Sequence, residues 1–216
     1  SAVEDPCEIQ LPGVTQVNVN EKAGLHFANV MRALLRQDPD IIMIGEVRDS
    51  ETADMAIKAA QTGHLVLSTL HTNDAPTSLS RLIHMGVPAY QVASSVSLIC
   101  AQRLVRRLCE NCKQPDLSQA SRQATWAMAE PPRHHTLYRP VGCPQCVAGY
   151  RGRIGVFQVL PIQTDIADAM LHGAPPQTIA ALAQNAQIPS LRQAALQKAR
   201  QGVTSLAEVF SQTADD

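Results

Sequence analysis

Four cysteines stand as two close pairs, Cys109-x-x-Cys112 and Cys143-x-x-Cys146, separated by residues 113–142. Two residues between thiols let one turn aim both sulfurs at a single ion, and two such turns make a tetrahedral four-thiolate site suited to zinc. "CENCK" and "GCPQCVAGYRG" surround the sulfurs with the small and turn-forming residues such turns require. The interval exceeds that of common zinc ribbons, but a long loop adds little closure entropy. Four protein ligands leave no open position, so zinc held here would be structural. Buried or redox-active thiols are the other use of such pairs. Cys7 and Cys100 stand alone.

A second set of residues is acidic. "VEDPCE" offers Glu4, Asp5 and Glu8, and "DIIMIGEVRD" delivers Glu46, Arg48 and Asp49 directly after four apolar residues and a glycine. Either cluster alone reads as a solvated loop. A carboxylate fixed at the end of a buried strand, however, can orient water for attack on a phosphate or hold the water shell of magnesium. A third set is "GHLVLSTLHTND", where His64 and His71 flank one apolar run and Thr72, Asn73 and Asp74 follow. Two such histidines suggest a sensor that hydrogen-bonds a terminal phosphate, with Arg48 and Arg81 supplying positive charge.

The elements that must position these groups follow from hydrophobic periodicity. Phe27, Val30, Met31, Leu34 and Leu35 recur at helical spacing between Leu25 and Gln37, and Asp38-Pro39 stops that helix. Ile41–Ile44 is a short unalternating apolar run, the pattern of a strand covered on both faces. A helix follows over Glu51–Gln61 with Gly63 as its left-handed terminator. Residues 64–71 form a second buried strand, and a helix carrying Leu79, Leu82 and Ile83 ends at Gly86. Strand–helix alternation of this kind predicts an α/β layer with a parallel sheet, in which groups just past the C-terminal strand ends face the ligand crevice. That places Glu46 and His71 on one edge. A long helix is expected from Pro88, "RLVRRL" (103–108) is ambiguous between strand and helix, and residues 114–140 read as an insertion. "GRIGVFQVL" (152–160) is a strand, and small helices follow from Ile162, punctuated by Pro175-Pro176, Pro189 and Gly202.

Composition narrows the classes. The 216 residues are 45% hydrophobic, ample for a core, but only 3% aromatic, which suits helices packed on an aliphatic sheet. The formal net charge of -1 gives no overall field toward nucleic acid or acidic lipid. No stretch reaches the ~20 apolar residues a transmembrane segment needs.

Taken in order, "VEDPCE", "LLRQDPDIIMIGEVRDSETADMAIKAAQTGHLVLSTLHTNDA", "RLIHMGV", "AQRLVRRLC-x-x-C" and "GC-x-x-C-x-x-GYRGRIGVFQVL" resemble the secretion ATPase superfamily over nearly the whole chain. Within it they are similar to the assembly ATPases of type II secretion and type IV pili. The resemblance implies part of a RecA-like P-loop ATPase core over 1–102, a tetracysteine zinc-binding subdomain over 103–160 and a small C-terminal helical subdomain over 161–216. By the same resemblance, Glu4, Asp5 and Glu8 match the acidic box and Asp40 through Glu46 the Walker B segment, with Gly45 where ordinary P-loop ATPases carry an aspartate. His64 and His71 match the histidine box. Glu46 would organise Mg2+ and water, and Glu4 would stand close to the attacking water of ATP hydrolysis.

The implied setting is a cytoplasmic homohexamer at the inner membrane that drives a platform protein and accessory secretion or pilus proteins, with Zn2+ as a structural ion. The sequence departs from the pattern in lacking G-x-x-x-x-G-K-[ST], the loop that cradles phosphates. The expectation is that the whole protein hydrolyses ATP and that this piece, which begins like a fragment at "SAVEDPCE", does not. Two other readings stand beside it. One is a zinc-knuckle module binding nucleic acid through Arg103, Arg106, Arg107 and Lys113, against which the scarcity of aromatics and the net charge both argue. The other is an ATPase of a DNA-uptake system. Within the motor reading no nucleic acid is expected, and Arg106 and Arg107 would meet a neighbouring subunit or the platform.

Overall fold

In the computed structural model, residues 1–118 and 136–213 are described. Most of the 114–140 stretch, including Trp126, lies outside them. Two compact units interleave along the chain: one holds residues 1–72, 76–99 and 161–182, the other 73–75, 100–160 and 183–216. These units do not coincide with the sequence segments 1–102, 103–160 and 161–216.

The first unit is built on four parallel strands, β1 (Ala2–Glu4), β2 (Gln16–Asn18), β3 (Ile41–Ile44) and β4 (Leu65–Ser68), in the spatial order β2-β1-β3-β4. Helices α1 (Phe27–Leu34), α2 (Ser50–Gln61), α3 (Ala75–His84, all but its first residue in this unit), α4 (Ala89–Ser95) and α5 (Thr164–Leu171) accompany them. Val3, Met31, Leu34, Ile42, Ile44, Leu79, Val92, Ile166 and Met170 are buried. The α/β class with a parallel sheet is therefore as expected. The strands are covered differently, however. Ile42 and Ile44 are fully buried, whereas Ile41, Leu65 and Leu67 are about half exposed, at 50%, 52% and 50%. An apolar run that does not alternate predicts burial on both faces; here β4 is an edge strand, and the sheet buries only one side of its pleat.

Two boundaries also shift. The first helix closes in a tight 3-10 turn over Leu35–Gln37, and Asp38 leaves it in the left-handed region at φ 52 rather than in the extended region favoured before proline. The helix after Pro88 is short, because Val96 is already extended and β5 (Leu98–Leu108) begins two residues later. This strand contains all of "RLVRRL", which resolves that ambiguity.

The second unit pairs β5 with β8 (Tyr150–Pro161) and adds a small antiparallel ladder between β6 (Gln114–Pro115) and β7 (Tyr138–Arg139). Val105 and Val156 from the strands meet Leu191, Ala195 and Ala199 of α7 (Leu191–Arg200) and Leu206 and Val209 of α8 (Leu206–Gln212) in one core. Between α5 and α7 lies α6 (Pro176–Asn185). Among the described residues no helix is long and apolar enough to cross a membrane.

Candidate functional site

The C-terminal edge of the parallel sheet gathers most of the acidic and basic candidates. Val3 of β1 pairs with Ile44 of β3, so Glu4 lies beside Gly45. A Cβ built on Gly45 would sit 3.3 Å from both Glu4 Cα and the Val3 carbonyl oxygen. A side chain at this position would push β1 and β3 apart just where each delivers its carboxylate. This is a local reason for glycine there.

One residue further, Glu46 is almost buried, with its side chain 11% exposed. Its Oε2 accepts from Arg48 Nε at 2.6 Å and pairs with His71 Nε2 at 2.9 Å. Arg48 Nη1 also lies 3.8 Å from Asp5 Oδ2. The bond from Arg48 is the main influence holding the Glu46 carboxyl below the ordinary carboxylate range; burial opposes it and His71 adds to it. Arg48 is correspondingly held more firmly protonated by Glu46. His71 itself is 82% exposed. The edge thus presents a fixed, ionised carboxylate between a guanidinium and an outward-facing imidazole.

Glu4 is positioned by a residue the sequence did not suggest. Gln16 of β2 donates through Nε2 to Glu4 Oε1 at 2.7 Å, and the same nitrogen lies 2.9 Å from Cys7 Sγ and 3.0 Å from the Ile9 carbonyl oxygen. Burial, and then the neighbouring Glu4 carboxylate, push the Cys7 thiol up. No motif marks Gln16; only the parallel register Ala2↔Gln16 brings it to that edge.

Other candidates are placed elsewhere. Asp40 precedes β3 and His64 precedes β4, at the opposite edge of the sheet, where Asp40 accepts the Leu65 N–H through its carbonyl. His64 Nδ1 lies 3.0 Å from the Ala59 carbonyl and 3.1 Å from Thr62 Oγ1, closing the end of α2. Asp49 is the N-cap of α2, accepting from Thr52 N–H at 2.8 Å. Glu8 is exposed beyond β1, and Arg81 is exposed in the last turn of α3.

In the second unit the four cysteines converge: their sulfurs lie within 4.8 Å of one another, so together they could hold a metal ion. Cys109 and Cys143 sulfurs are 3.9 Å apart, Cys112 and Cys146 3.7 Å, and Cys143 and Cys146 3.6 Å. These separations are far beyond a bonded S–S distance of about 2.05 Å. Burial pushes the Cys146 thiol up, but the Cys143 N–H and thiol and the Cys112 thiol outweigh it and bring it down to about 7. Across the two turns, the Asn111 side-chain amide donates to Gln145 Oε1.

The basic stripe proposed for partners is partly consumed within the chain. Arg106 donates from Nε and Nη2 to Glu208 Oε2, at 2.9 and 2.6 Å, while its backbone N–H reaches Glu208 Oε1 at 3.0 Å. Its guanidinium also stacks 4.1 Å from the Tyr150 ring centroid. Arg106 therefore anchors the C-terminal helices, and of the pair named from sequence only Arg107 remains a test of an outer surface.

With this geometry in view, comparison with known proteins decides the family: residues 1–211 match the type II/IV secretion system protein family. The chain belongs to it. Among curated relatives, it is 49% identical to the type IV pilus assembly ATPase PilB of Acinetobacter baylyi over 220 aligned residues, which is all of this chain and 38% of that protein. It is 47% identical to PilB of Pseudomonas aeruginosa, again over all of this chain and 38% of the relative. It is 43% identical to the type II secretion system ATPase E of Vibrio cholerae, over 98% of this chain and 42% of that one. The chain thus spans about two fifths of the length of these relatives. Among solved structures, the pilus retraction motor PilT with bound ADP superposes with a TM-score of 0.70 at 24% identity, covering 99% of this chain and 52% of PilT. The ATPase DotB of Legionella pneumophila gives 0.63 at 22% identity, over 96% and 49%. At those identities the likeness speaks for the fold.

Proposed function

We propose that these residues are part of a motor ATPase that couples ATP hydrolysis to pilus or pseudopilus assembly or type II protein secretion. The observation that carries this reading is the placement of Glu46 and His71 2.9 Å apart at the C-terminal ends of neighbouring parallel strands, where α/β sheets bind their ligands. In this reading Glu46 organises Mg2+ and water, Glu4 stands near the attacking water, and His71 and Arg48 answer the charge of the terminal phosphate. The relatives that share the whole of this chain are named as assembly and secretion ATPases, which supports the assignment. The motor is cytoplasmic, peripheral to the inner membrane and homohexameric, and it works on a membrane platform with accessory proteins.

Zinc fits the tetracysteine site. Thiolates about 2.3 Å from a central ion stand about 3.8 Å from one another in a tetrahedron, and three of the sulfur separations, 3.6, 3.7 and 3.9 Å, lie close to that value, with all four sulfurs within 4.8 Å of one another. Cys109, Cys112, Cys143 and Cys146 would hold the ion in a purely structural role.

The test is Glu46→Gln in the full-length protein, with Mg-ATP hydrolysis as the readout. Loss of a carboxylate acting on water costs about 100-fold or more in turnover, while nucleotide affinity is largely kept. Turnover equal to wild type overturns the reading. These 216 residues alone, which contain no G-x-x-x-x-G-K-[ST], are expected to show no Mg-ATP hydrolysis above the Glu46→Gln control.

A further inference from the structure

Glu46 needs a fixed direction, yet the strand that leads to it has already ended at Ile44. The pairing of β3 with β4 runs from Ile41↔Leu65 to Ile44↔Ser68, and the Leu65 N–H donates to the Asp40 carbonyl at 3.0 Å. In a parallel ladder the bonds are evenly spaced, advancing two residues on each strand together. Continued past Ser68, this ladder would bring the Glu46 N–H to the Thr69 carbonyl. The Thr69 carbonyl instead accepts from the Val47 N–H, at 3.0 Å. One extra residue, Glu46, therefore stands on its side of the pairing. That is the count of a bulge, a device that re-aims the displaced side chain.

The same threonine also holds the chain before the slip. Its Oγ1 donates to the Gly45 carbonyl at 2.7 Å, while the Gly45 N–H is taken by the Val3 carbonyl at 2.8 Å. The Gly45 C=O and the Glu46 N–H belong to one rigid peptide plane, so fixing that carbonyl fixes the backbone from which the Glu46 side chain departs. Thr69 thus grips both neighbours of Glu46, with its hydroxyl before and its carbonyl after. Only the first grip depends on the side chain.

We propose that Thr69 is a positioning residue for Glu46, acting through its hydroxyl on the 45–46 peptide rather than through packing. The proposal rests on the reading of Glu46 as the carboxylate that works at the phosphate. A hydroxyl in this role explains why an exposed side chain at the end of an edge strand makes one of the shorter hydrogen bonds of the unit.

The experiment compares Thr69→Val, which keeps the shape and removes the donor, with Thr69→Ser, which keeps the donor and trims the shape, in the full-length protein. Misaiming a catalytic group without removing it costs about tenfold in kcat, with KM for ATP moving less than about twofold. Thr69→Val is expected to show that split with the melting temperature unchanged, and Thr69→Ser to recover most of the turnover. Should Thr69→Val melt early, Thr69→Ala is read against Thr69→Ser in the same way. The proposal is overturned by a kcat for the variant lacking the hydroxyl within about twofold of wild type, by a loss confined to KM, or by a serine variant as slow as valine. Glu46→Gln run alongside separates the two ideas. If it is inactive while Thr69→Val is normal, only the threonine's role is lost. If Glu46→Gln turns over normally, the functional reading fails and the positioning role with it.

Discussion

The four sulfurs of the tetracysteine site are gathered by two turns whose surroundings are tied, residue by residue, to a third segment of the same unit, whereas Glu46 is held at the sheet edge by Arg48 and His71, whose own side chains face outward. Around the sulfurs, Lys113 Nζ donates to the Gly202 carbonyl at 3.0 Å, Leu108 N–H to the Val203 carbonyl at 2.8 Å, and Thr204 Oγ1 to the Arg106 carbonyl at 2.8 Å. Tyr150 and Ser205 share a buried hydroxyl pair at 2.7 Å. Residues 202–205 are thereby laced to strands on both sides of the cysteines. At the sheet edge, by contrast, His71 is 82% exposed and Arg48 61%. The first region is complete in itself. The second leaves its outer groups exposed, as the proposed role of Glu46 and His71 at a phosphate would require.

Breaking the cysteine set should have the largest effect. Cys112→Ser with Cys146→Ser is expected to drop bound metal from about one ion per chain to none, as read by metal analysis. Because of the lacing, hydrogen exchange should then rise through α7 and α8 as well as at the knuckles, while β1 and β3 keep their protection. Loss of metal with unchanged exchange in α7 and α8 would show that the two parts are held separately. Next comes Arg106→Ala, which leaves Glu208 buried without its counter-ion. Removing one partner of a buried pair costs about 3–5 kcal/mol, and Arg106 is half exposed, so about 2 kcal/mol is expected here. Chemical denaturation monitored on the second unit measures it, and Arg107→Ala, lying outside the pair, serves as the control.

The same contrast explains how much the sequence revealed. Tetracysteine spacing is a chemical signature, because only a few residue types bind metal and two turns must bring them together. The parallel run of β3 and β4, and hence the common edge of Glu46 and His71, was legible from apolar runs and their polar ends, whereas the three-residue strands β1 and β2 are too short to show a period. Which acidic groups stand at that edge was less so. Asp49 and Glu46 are three residues apart in one charged run, and nothing in composition says that one caps a helix while the other meets His71. His64 and His71 flank one strand symmetrically in sequence, but a strand has two ends, and only one lies at the crevice. Gln16 lies outside the sequence motifs, and Thr69, although inside "GHLVLSTLHTND", is not singled out by it, because both roles come from register, which emerges only when strands pair. Long-range pairing likewise hid the Arg106–Glu208 link, since its two members are about a hundred positions apart and nothing in the pattern around either points to the other.

Acid should act differently on the two regions. Burial pushes the Glu208 carboxyl up, but the bonds from Arg106 outweigh it and leave the group below its ordinary value of 4.5. A carboxyl with a lower value folded than unfolded adds stability that is present above about 4.5 and lost as pH falls through the folded value. Glu46 shifts in the same direction through Arg48, but its partners are exposed, so its protonation should release His71 and Arg48 without unfolding the sheet. Urea midpoints measured from about pH 6 down to pH 3 should therefore fall less steeply in Glu208→Gln than in wild type, and less steeply by a smaller margin in Glu46→Gln, whose exposed partners are screened by solvent. Parallel curves for Glu208→Gln would remove the pair from the account of acid stability.

The smallest effect tests the division within the charged run itself. Asp49 accepts from Thr52 N–H at 2.8 Å and from Thr52 Oγ1 at 3.2 Å, the geometry of a side chain satisfying the first turn of α2. Replacing an N-cap aspartate by alanine costs about 1 kcal/mol, whereas serine or asparagine keeps most of the bond. Asp49→Ala should therefore lower the melting temperature and Asp49→Ser should restore it, with kcat of the full-length protein following stability in neither case. If turnover instead collapses in Asp49→Ala and stays low in Asp49→Ser, the carboxylate charge matters beyond the cap. Asp49 would then move from the scaffold to the working edge, and the line drawn between it and Glu46 would have to be redrawn.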